Sequence, residues 1–285
     1  MILSFHPCFD TDIQIILGSR PLDSNHLTLI REAEAIILPQ ALQADFYQAC
    51  SESDALLFPN YEMRFRYPGK IGQSLMFRDF GFPHPETSRW NKLEDFKKKY
   101  LYMETFLHKK PFLIKDDRTH EAEGVYLVKD RHSLSEALSG LELREGLSPS
   151  GFITQDYVPS KGNALRVVII GKKIITYWKR PNRQGQVITT ISRGAVIDHH
   201  WRPDLQAKAE GQARSLSKKT GINVAAIDFV FDLSDRVPEP LFLEINYYFG
   251  RRGLGGTENY YRLFYRAVQD WLRNAGLNPE SARPV

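Results

Sequence analysis

The chain has 285 residues, of which 42% are hydrophobic, 25% charged and 12% aromatic. This composition excludes a disordered or low-complexity chain and leaves room for more than one packed lobe. The net charge of +4, from 38 basic and 34 acidic residues, is too small to single out a nucleic-acid binder and suits an enzyme for anionic substrates equally well. The two cysteines, Cys8 and Cys50, stand in no metal or redox spacing and point to a reducing compartment. No apolar run is long enough for a bilayer, and the opening "MILSFHPCFDTD" lacks a basic leader, so a soluble cytoplasmic protein is expected.

In chain order, "MILSF", "AIILP" and "ALLFP" read as short buried strands. The helix-patterned segments "LDSNHLTLIREAE" and "QALQADFYQACSES" lie between them. That alternation predicts a small, largely parallel sheet with an α/β character. The spacing of "KIGQSLMFRDFG" predicts a further helix stopped by Gly81, and the extended "FPHPET" marks a boundary near Thr87. Next come a helix over "KLEDFKKKYLYMETFL", strands at "PFLIK" and "GVYLV", a helix at "SLSEALSGLEL" and a strand at "GFITQDYV". "LRVVIIGKKIITYWKR" reads as a long hairpin turning at Gly171. A polar-faced helix ending at Gly221, two strands at "VAAIDFVFD" and "LFLEIN", and a final amphipathic helix over "ENYYRLFYRAVQDWLRNAG" complete the chain. The last two thirds are therefore α+β with mostly antiparallel strands.

The chemistry-bearing residues sit on the last two strands. Side chains alternate across a strand, so Glu244 and Asn246 share one face while Leu243 and Ile245 share the other. Asp228 interrupts an otherwise apolar strand, where a lone charge is costly without compensation. If the two strands pair, Asp228, Glu244 and Asn246 converge as an oxygen-only set that suits Mg²⁺ completed by water and phosphate. Cations that would hold such a phosphate are Lys115 at the end of "PFLIK", Arg166 and Arg180 on the hairpin, and Arg193, Arg251 and Arg252 in loops. A strand-end cap is the competing reading for any one acid, and a solvated surface position for the three loop arginines. The glycine-rich "YYFGRRGLGG" is expected to be a mobile loop. There is no GxxxxGK[ST] loop, no dinucleotide fingerprint and no GxSxG elbow.

"AAIDFV" followed by "FLEIN" resembles the ATP-grasp ligases, and within them the RimK-type glutamate ligases and glutathione synthetase. The resemblance covers residues 70–256. It implies an ATP-grasp fold preceded by a small α/β domain, with units at 1–87, 88–158 and 159–285. It implies two Mg²⁺ ions held by Asp228, Glu244 and Asn246, and ATP phosphates contacted by Lys115 and Lys70. "ITQDYV" resembles the family's hinge, which implies that Gln155, Asp156, Tyr157 and Val158 lie along the adenine. The hairpin resembles one carrying an arginine at each end, which implies catalytic roles for Arg166 and Arg180.

The chain departs from the family's pattern in several places. Only Gly124 remains of the glycine-rich phosphate loop. "NALR" lacks the ribose aspartate, leaving Asn163 or Lys161 to substitute. "VITTISRGA" lacks an asparagine, leaving Thr190 or Arg193 nearest. The loop Tyr247, Tyr248, Arg251 and Arg252 lies where the acceptor would sit.

The implied activity is an ATP-dependent carboxylate–amine ligase working through an acylphosphate, with a small-molecule or peptide carboxylate and an amine as partners. The competing readings are a nucleotide-binding module without ligase activity and, with less support, a nucleic-acid-binding module. The sequence contains nothing that fixes the oligomeric state.

Overall fold

Apolar triplets alternating with helices build the first sheet. Strands β1 (Ile2–Ser4), β2 (Phe9–Asp10) and β3 (Ile13–Gln14) are followed by α1 (Ser24–Glu32), β4 (Ala35–Ile37), α2 (Ala44–Ser51) and β5 (Leu56–Phe58). β3, β1, β4 and β5 lie in that order and all pair parallel, while β2 pairs with the C-terminal segment Arg283–Pro284. Asp23 starts α1 as its cap, accepting from the His26 amide at 2.9 Å. This computed structural model describes residues 1–101, 108–119, 123–147, 151–183, 185–187 and 189–285.

The short helix α3 (Glu62–Arg66) and helix α4 (Gly69–Asp79) lead into the second lobe. There β6 (Thr87–Trp90), β7 (Phe112–Asp116), β8 (Val125–Val128) and β9 (Phe152–Asp156) form an antiparallel sheet in the order β6-β9-β7-β8. Helices α5 (Leu93–Leu101) and α6 (Arg131–Leu147) cover it. The helix expected to run on to Leu107 is described only to Leu101; residues 102–107 lie outside the described residues. This lobe has its own core, built on Trp90, Phe96, Phe112 and Phe152.

The third sheet runs β12-β11-β10-β13-β14, all antiparallel: β10 (Ala164–Ile170), β11 (Lys173–Arg180), β12 (Val196–Asp198), β13 (Val224–Val230) and β14 (Leu241–Asn246). Odd-numbered residues of β10 and β13, such as Val167 and Ile227, pack against α7 (Pro203–Thr220) and the first lobe in one continuous core. Even-numbered Val168, Ile170 and Ala226 pack under α8 (Thr257–Asn274), whose Tyr260, Phe264, Ala267, Val268 and Leu272 form its buried stripe. The first and third lobes thus share a core, and the second stands on its own across a cleft. Among the described residues no helix is long and apolar enough to cross a membrane.

Candidate active site

In antiparallel pairing, residues directly opposite share a face. Asp228 stands opposite Arg166 on one side and opposite Glu244 on the other, so three charged groups line up across β10, β13 and β14. Asn246 follows on the same face. The register shifts after Asp228, which leaves Leu243 unopposed in a bulge and turned to the cleft. β14 is the edge strand, and Gln73 of α4 secures it. The Gln73 amide accepts from the Ile245 N–H and donates to the Ile245 carbonyl, both at 2.8 Å.

Asp228 is only 4% exposed. Its carboxylate accepts from Arg166 Nε at 2.8 Å, Arg166 Nη2 at 2.7 Å, Lys179 Nζ at 2.8 Å and Asn246 Nδ2 at 3.5 Å. Burial works to raise its pKa, but Arg166 and Lys179 overcome this and hold it well below the usual carboxylate range. Asp228 pulls Arg166 upward against burial in return. Glu244 is half-buried and accepts no hydrogen bond from the described residues. Lys70 and Lys115 both sense its charge.

Lys115 is buried and donates to Gln155 Oε1 at 2.6 Å; burial pushes it down to about 8, against the pull of Glu244. Gln155 in turn donates to Thr87 Oγ1 at 2.9 Å. Gln155 therefore lies behind the cleft wall and orients Lys115 rather than facing a ligand. Lys70 donates to the Thr119 carbonyl at 2.6 Å, and burial lowers its pKa. Beside it, Gly69 has left-handed backbone (φ +67), and a Cβ there would stand 2.3 Å from Asp117 Oδ2, so glycine is required.

The hairpin places its cations differently from the expectation. Gly171 and Lys172 form a two-residue turn, so Arg166 faces Tyr177 and Ala164 faces Lys179. Lys179 therefore shares the Asp228 face. Arg180, one residue out of phase, does not line the cleft. It donates to Asp198 Oδ2 at 2.8 Å and stacks on Trp201 with 4.5 Å to the ring centroid. The missed cation, Lys179, was marked in the sequence only by parity, which a turn of unknown length conceals.

One cleft of about 1270 Å³ gathers most of these residues. Lys70, Lys115, Arg166, Lys179, Asp228, Glu244 and Asn246 line it. At its apolar end stand Leu113, Val125, Val158 and Leu243, with Asp156 and Tyr157 on the hinge. Asn163 also lines it, but its amide donates to the Ser160 carbonyl at 2.9 Å and closes a local turn. Thr190 borders the same wall; the side chain of Arg193 lies outside the described residues.

Tyr248, Arg251 and Arg252 border the opposite end, and Tyr248 is 72% exposed. The loop they occupy is anchored, contrary to the mobile loop expected. Phe249 and Leu254 are buried, a Cβ on Gly253 would collide with the Tyr177 ring, and Arg251 lies over both Tyr260 and Tyr261 at 4.3 and 4.6 Å. Arg64 of α3, which no sequence pattern marked, enters the same end. It donates to the Gln40 carbonyl at 2.8 Å and lies over Tyr61 and Phe65.

Among the described residues no three His, Cys, Asp or Glu side chains cluster as a self-sufficient metal site. A divalent cation at Glu244 and Asn246 would need further oxygens from its ligand, as Mg²⁺ on a phosphate does. Two carboxylates, an amide and four cations around one large cleft fit Mg²⁺ with a polyphosphate.

The fold is that of ATP-grasp proteins. A RimK-domain ATP-grasp protein from Sphaerobacter thermophilus superposes with a TM-score of 0.58 at 13% identity, covering 92% of this chain and 97% of that one. The model of the RimK-like ATP-grasp domain matches residues 84–260, more than half of the chain, and the chain belongs to that family. Human beta-citrylglutamate synthase B is 27% identical over 151 residues, 53% of this chain and 36% of that protein. A probable alpha-L-glutamate ligase of Marinobacter nauticus is 28% identical over 153 residues, 52% of this chain and 45% of that protein. The matched stretches thus span less than half the length of these relatives.

Proposed function

We propose that the protein is an ATP-dependent carboxylate–amine ligase. The observation that carries this reading is the row Arg166–Asp228–Glu244 with Asn246 and Lys179 on one sheet face, lining one cleft with Lys70 and Lys115. Phosphoryl transfer asks for positioning and charge neutralisation more than for a protein nucleophile, and neither Cys8 nor Cys50 lines the cleft. Family membership and the ligase and synthase names of the relatives support it.

In this reading the base lies at the apolar end, along Asp156, Tyr157 and Val158. Lys70, Lys115 and Lys179 hold the phosphates, and Arg166 keeps Asp228 ionised. Glu244 and Asn246, with Asp228, would hold Mg²⁺, which supplies charge neutralisation at the phosphates. For Asp228 to join, Lys179 must turn from the carboxylate to the ligand. The γ-phosphoryl group would pass to a substrate carboxylate, releasing ADP, and an amine would displace phosphate from the acylphosphate. Arg64, Arg251, Arg252 and Tyr248 give the far end the cationic and aromatic character that suits an anionic acceptor.

The test is thermal unfolding with and without Mg-ATP, followed by ADP release with pools of carboxylates and amines. A ligand at 100 times its Kd stabilises by about 2.7 kcal/mol. A Mg-dependent shift with substrate-dependent ADP release is expected. A shift without turnover on any pool would reduce the protein to a nucleotide-binding module.

A further inference from the structure

The end of β14 that carries Glu244 and Asn246 is short of strand pairing. β14 is an edge strand, and its register with β13 shifts after Asp228. On the far side of that bulge the ladder holds three pairs: Glu244 opposite Asp228, Ile245 opposite Ile227 and Asn246 opposite Ala226. Glu244 and Asn246 thus sit between a bulge, which interrupts the ladder, and the end of the strand, where a ladder frays.

In an antiparallel pair, successive residues direct their N–H and C=O alternately toward the partner and away from it. Ile245 lies between the two cleft-facing residues and directs its groups to the Gln73 side chain. Its N–H donates to Gln73 Oε1 and its carbonyl accepts from Gln73 Nε2, each at 2.8 Å. A primary amide offers a donor and an acceptor side by side, the same pair that a neighbouring strand would offer. Three residues earlier, the Phe242 N–H donates to the Pro83 carbonyl at 2.8 Å, so the open edge is held at two points.

Gln73 also ties this strand to the rest of the cleft. It lies one turn after Lys70 on α4, and both line the cleft. The second lobe holds the start of the same helix: the Ile71 N–H donates to Asp117 Oδ1 at 2.7 Å, and Lys70 Nζ donates to the Thr119 carbonyl at 2.6 Å. α4 therefore spaces Lys70 from Glu244, whose charge acts on that lysine.

We propose that Gln73 is a positioning residue: by pairing with Ile245 it fixes Glu244 and Asn246 so that both present oxygen to one divalent cation on a bound polyphosphate. The inference rests on the nucleotide reading above. With its amide engaged by Ile245, Gln73 acts through the backbone of β14 and not by contact with the cation. Its loss frees Glu244 and Asn246 to move while the phosphate-binding lysines stay in place. The defect is then confined to the Mg-dependent part of ATP binding.

The probe is ATP, with Kd measured by calorimetry in excess Mg²⁺ and in EDTA; the ratio of the two values is the Mg enhancement. The proteins compared are the natural one, Gln73→Met, Glu244→Gln, their double variant and Arg89→Met. Arg89 holds the same helix from β6, donating to Ser74 Oγ at 2.7 Å and to the Ser74 carbonyl at 2.8 Å, and does not line the cleft. Gln73→Met is expected to cut the Mg enhancement by about tenfold or more, with Kd in EDTA within about twofold of the natural protein. The double variant should lose less than the product of the two single effects, because Gln73 acts through Glu244. Arg89→Met should lower the melting temperature and leave the Mg enhancement unchanged. If Gln73→Met does not fold, Gln73→Asn, whose amide is one methylene shorter and cannot span both backbone groups, carries the same expectation. A Mg enhancement unmoved by the Gln73 variant, or moved equally by Arg89→Met, would overturn this inference and leave the nucleotide reading intact. ATP binding that is the same in Mg²⁺ and EDTA would overturn the metal assignment of Glu244 and Asn246 and this inference with it. Failure of the natural protein to bind ATP at all would overturn the nucleotide reading as well.

Discussion

Asp228 and Arg166 stand directly opposite one another on adjacent strands and close a two-point ion pair at 2.8 and 2.7 Å, with Lys179 completing the set at 2.8 Å. Both partners are nearly buried, so removing one leaves the others as uncompensated charges. Asp228→Ala should cost about 3–5 kcal/mol of stability, read from urea midpoints. Glu244 has no such partner, and Glu244→Gln should stay within about 1 kcal/mol of the natural protein while losing the Mg-dependent part of ATP stabilisation. Equal stability losses in the two variants would show that Glu244 belongs to the same structural network.

Lys179 and Arg180 are neighbours in sequence and lie on opposite faces of the sheet. Lys179→Met should weaken Mg-ATP binding by about tenfold or more, because it removes a charged donor from the cleft. Arg180→Met breaks a half-exposed pair with Asp198 and should cost under about 1 kcal/mol with nucleotide affinity unchanged. The reverse pattern in the two Kd values would return the phosphate role to Arg180.

This pair also marks how far the sequence could be read. Period-two alternation sufficed to put Glu244 and Asn246 on one face, and the apolar setting of Asp228 singled it out, because both signals are local to a strand. Choosing between Lys179 and Arg180 required the hairpin register, which the two-residue turn at Gly171 and Lys172 sets and which no local pattern encodes. Arg64 stayed hidden because its helix spans only Glu62–Arg66, too short for a periodicity. Gln155 was legible as a hinge residue but not as the partner of Lys115, since that contact crosses from β9 to β7. The anchoring of the loop after β14 depends on Tyr177 and α8, both distant in sequence.

Lys115 gives a pH signature with a defined sign. Its pKa falls from 10.5 to about 8 on folding. Below pH 8 it is protonated in both states, and the cost of burying its charge, on the order of 3 kcal/mol, is fully present. Between about pH 8 and 10.5 the unfolded chain holds the proton that the folded chain has released, so this residue makes stability rise with pH. The difference in unfolding free energy between the natural protein and Lys115→Met should therefore climb across that window and level off above it. Mg-ATP affinity of the natural protein should fall through the same pH range as the phosphate contact loses its charge, whereas Lys115→Met should show no such step. A difference in stability that stays flat from pH 7 to 10.5 would mean that Lys115 keeps an ordinary pKa in the fold.

Arg64 reaches the cleft from the first lobe, at the end proposed for the acceptor, and is tied by hydrogen bonds to the loop after β14. It donates to the Gln40 carbonyl, and the Gln40 amide donates to the Tyr247 carbonyl, each at 2.8 Å. Burial draws its pKa down, yet a guanidinium remains charged in this setting. A charged group held at the cleft wall by aromatic faces is suited to an anionic substrate and would contribute little to a nucleotide, which the proposed function puts at the other end. Arg64→Leu should therefore raise KM for the carboxylate or amine substrate by about tenfold or more, with Mg-ATP affinity within about twofold of the natural protein. ADP-release kinetics with each substrate varied in turn separate the two terms. A matched loss of nucleotide affinity and acceptor KM would instead assign Arg64 to the packing of the first lobe against the third.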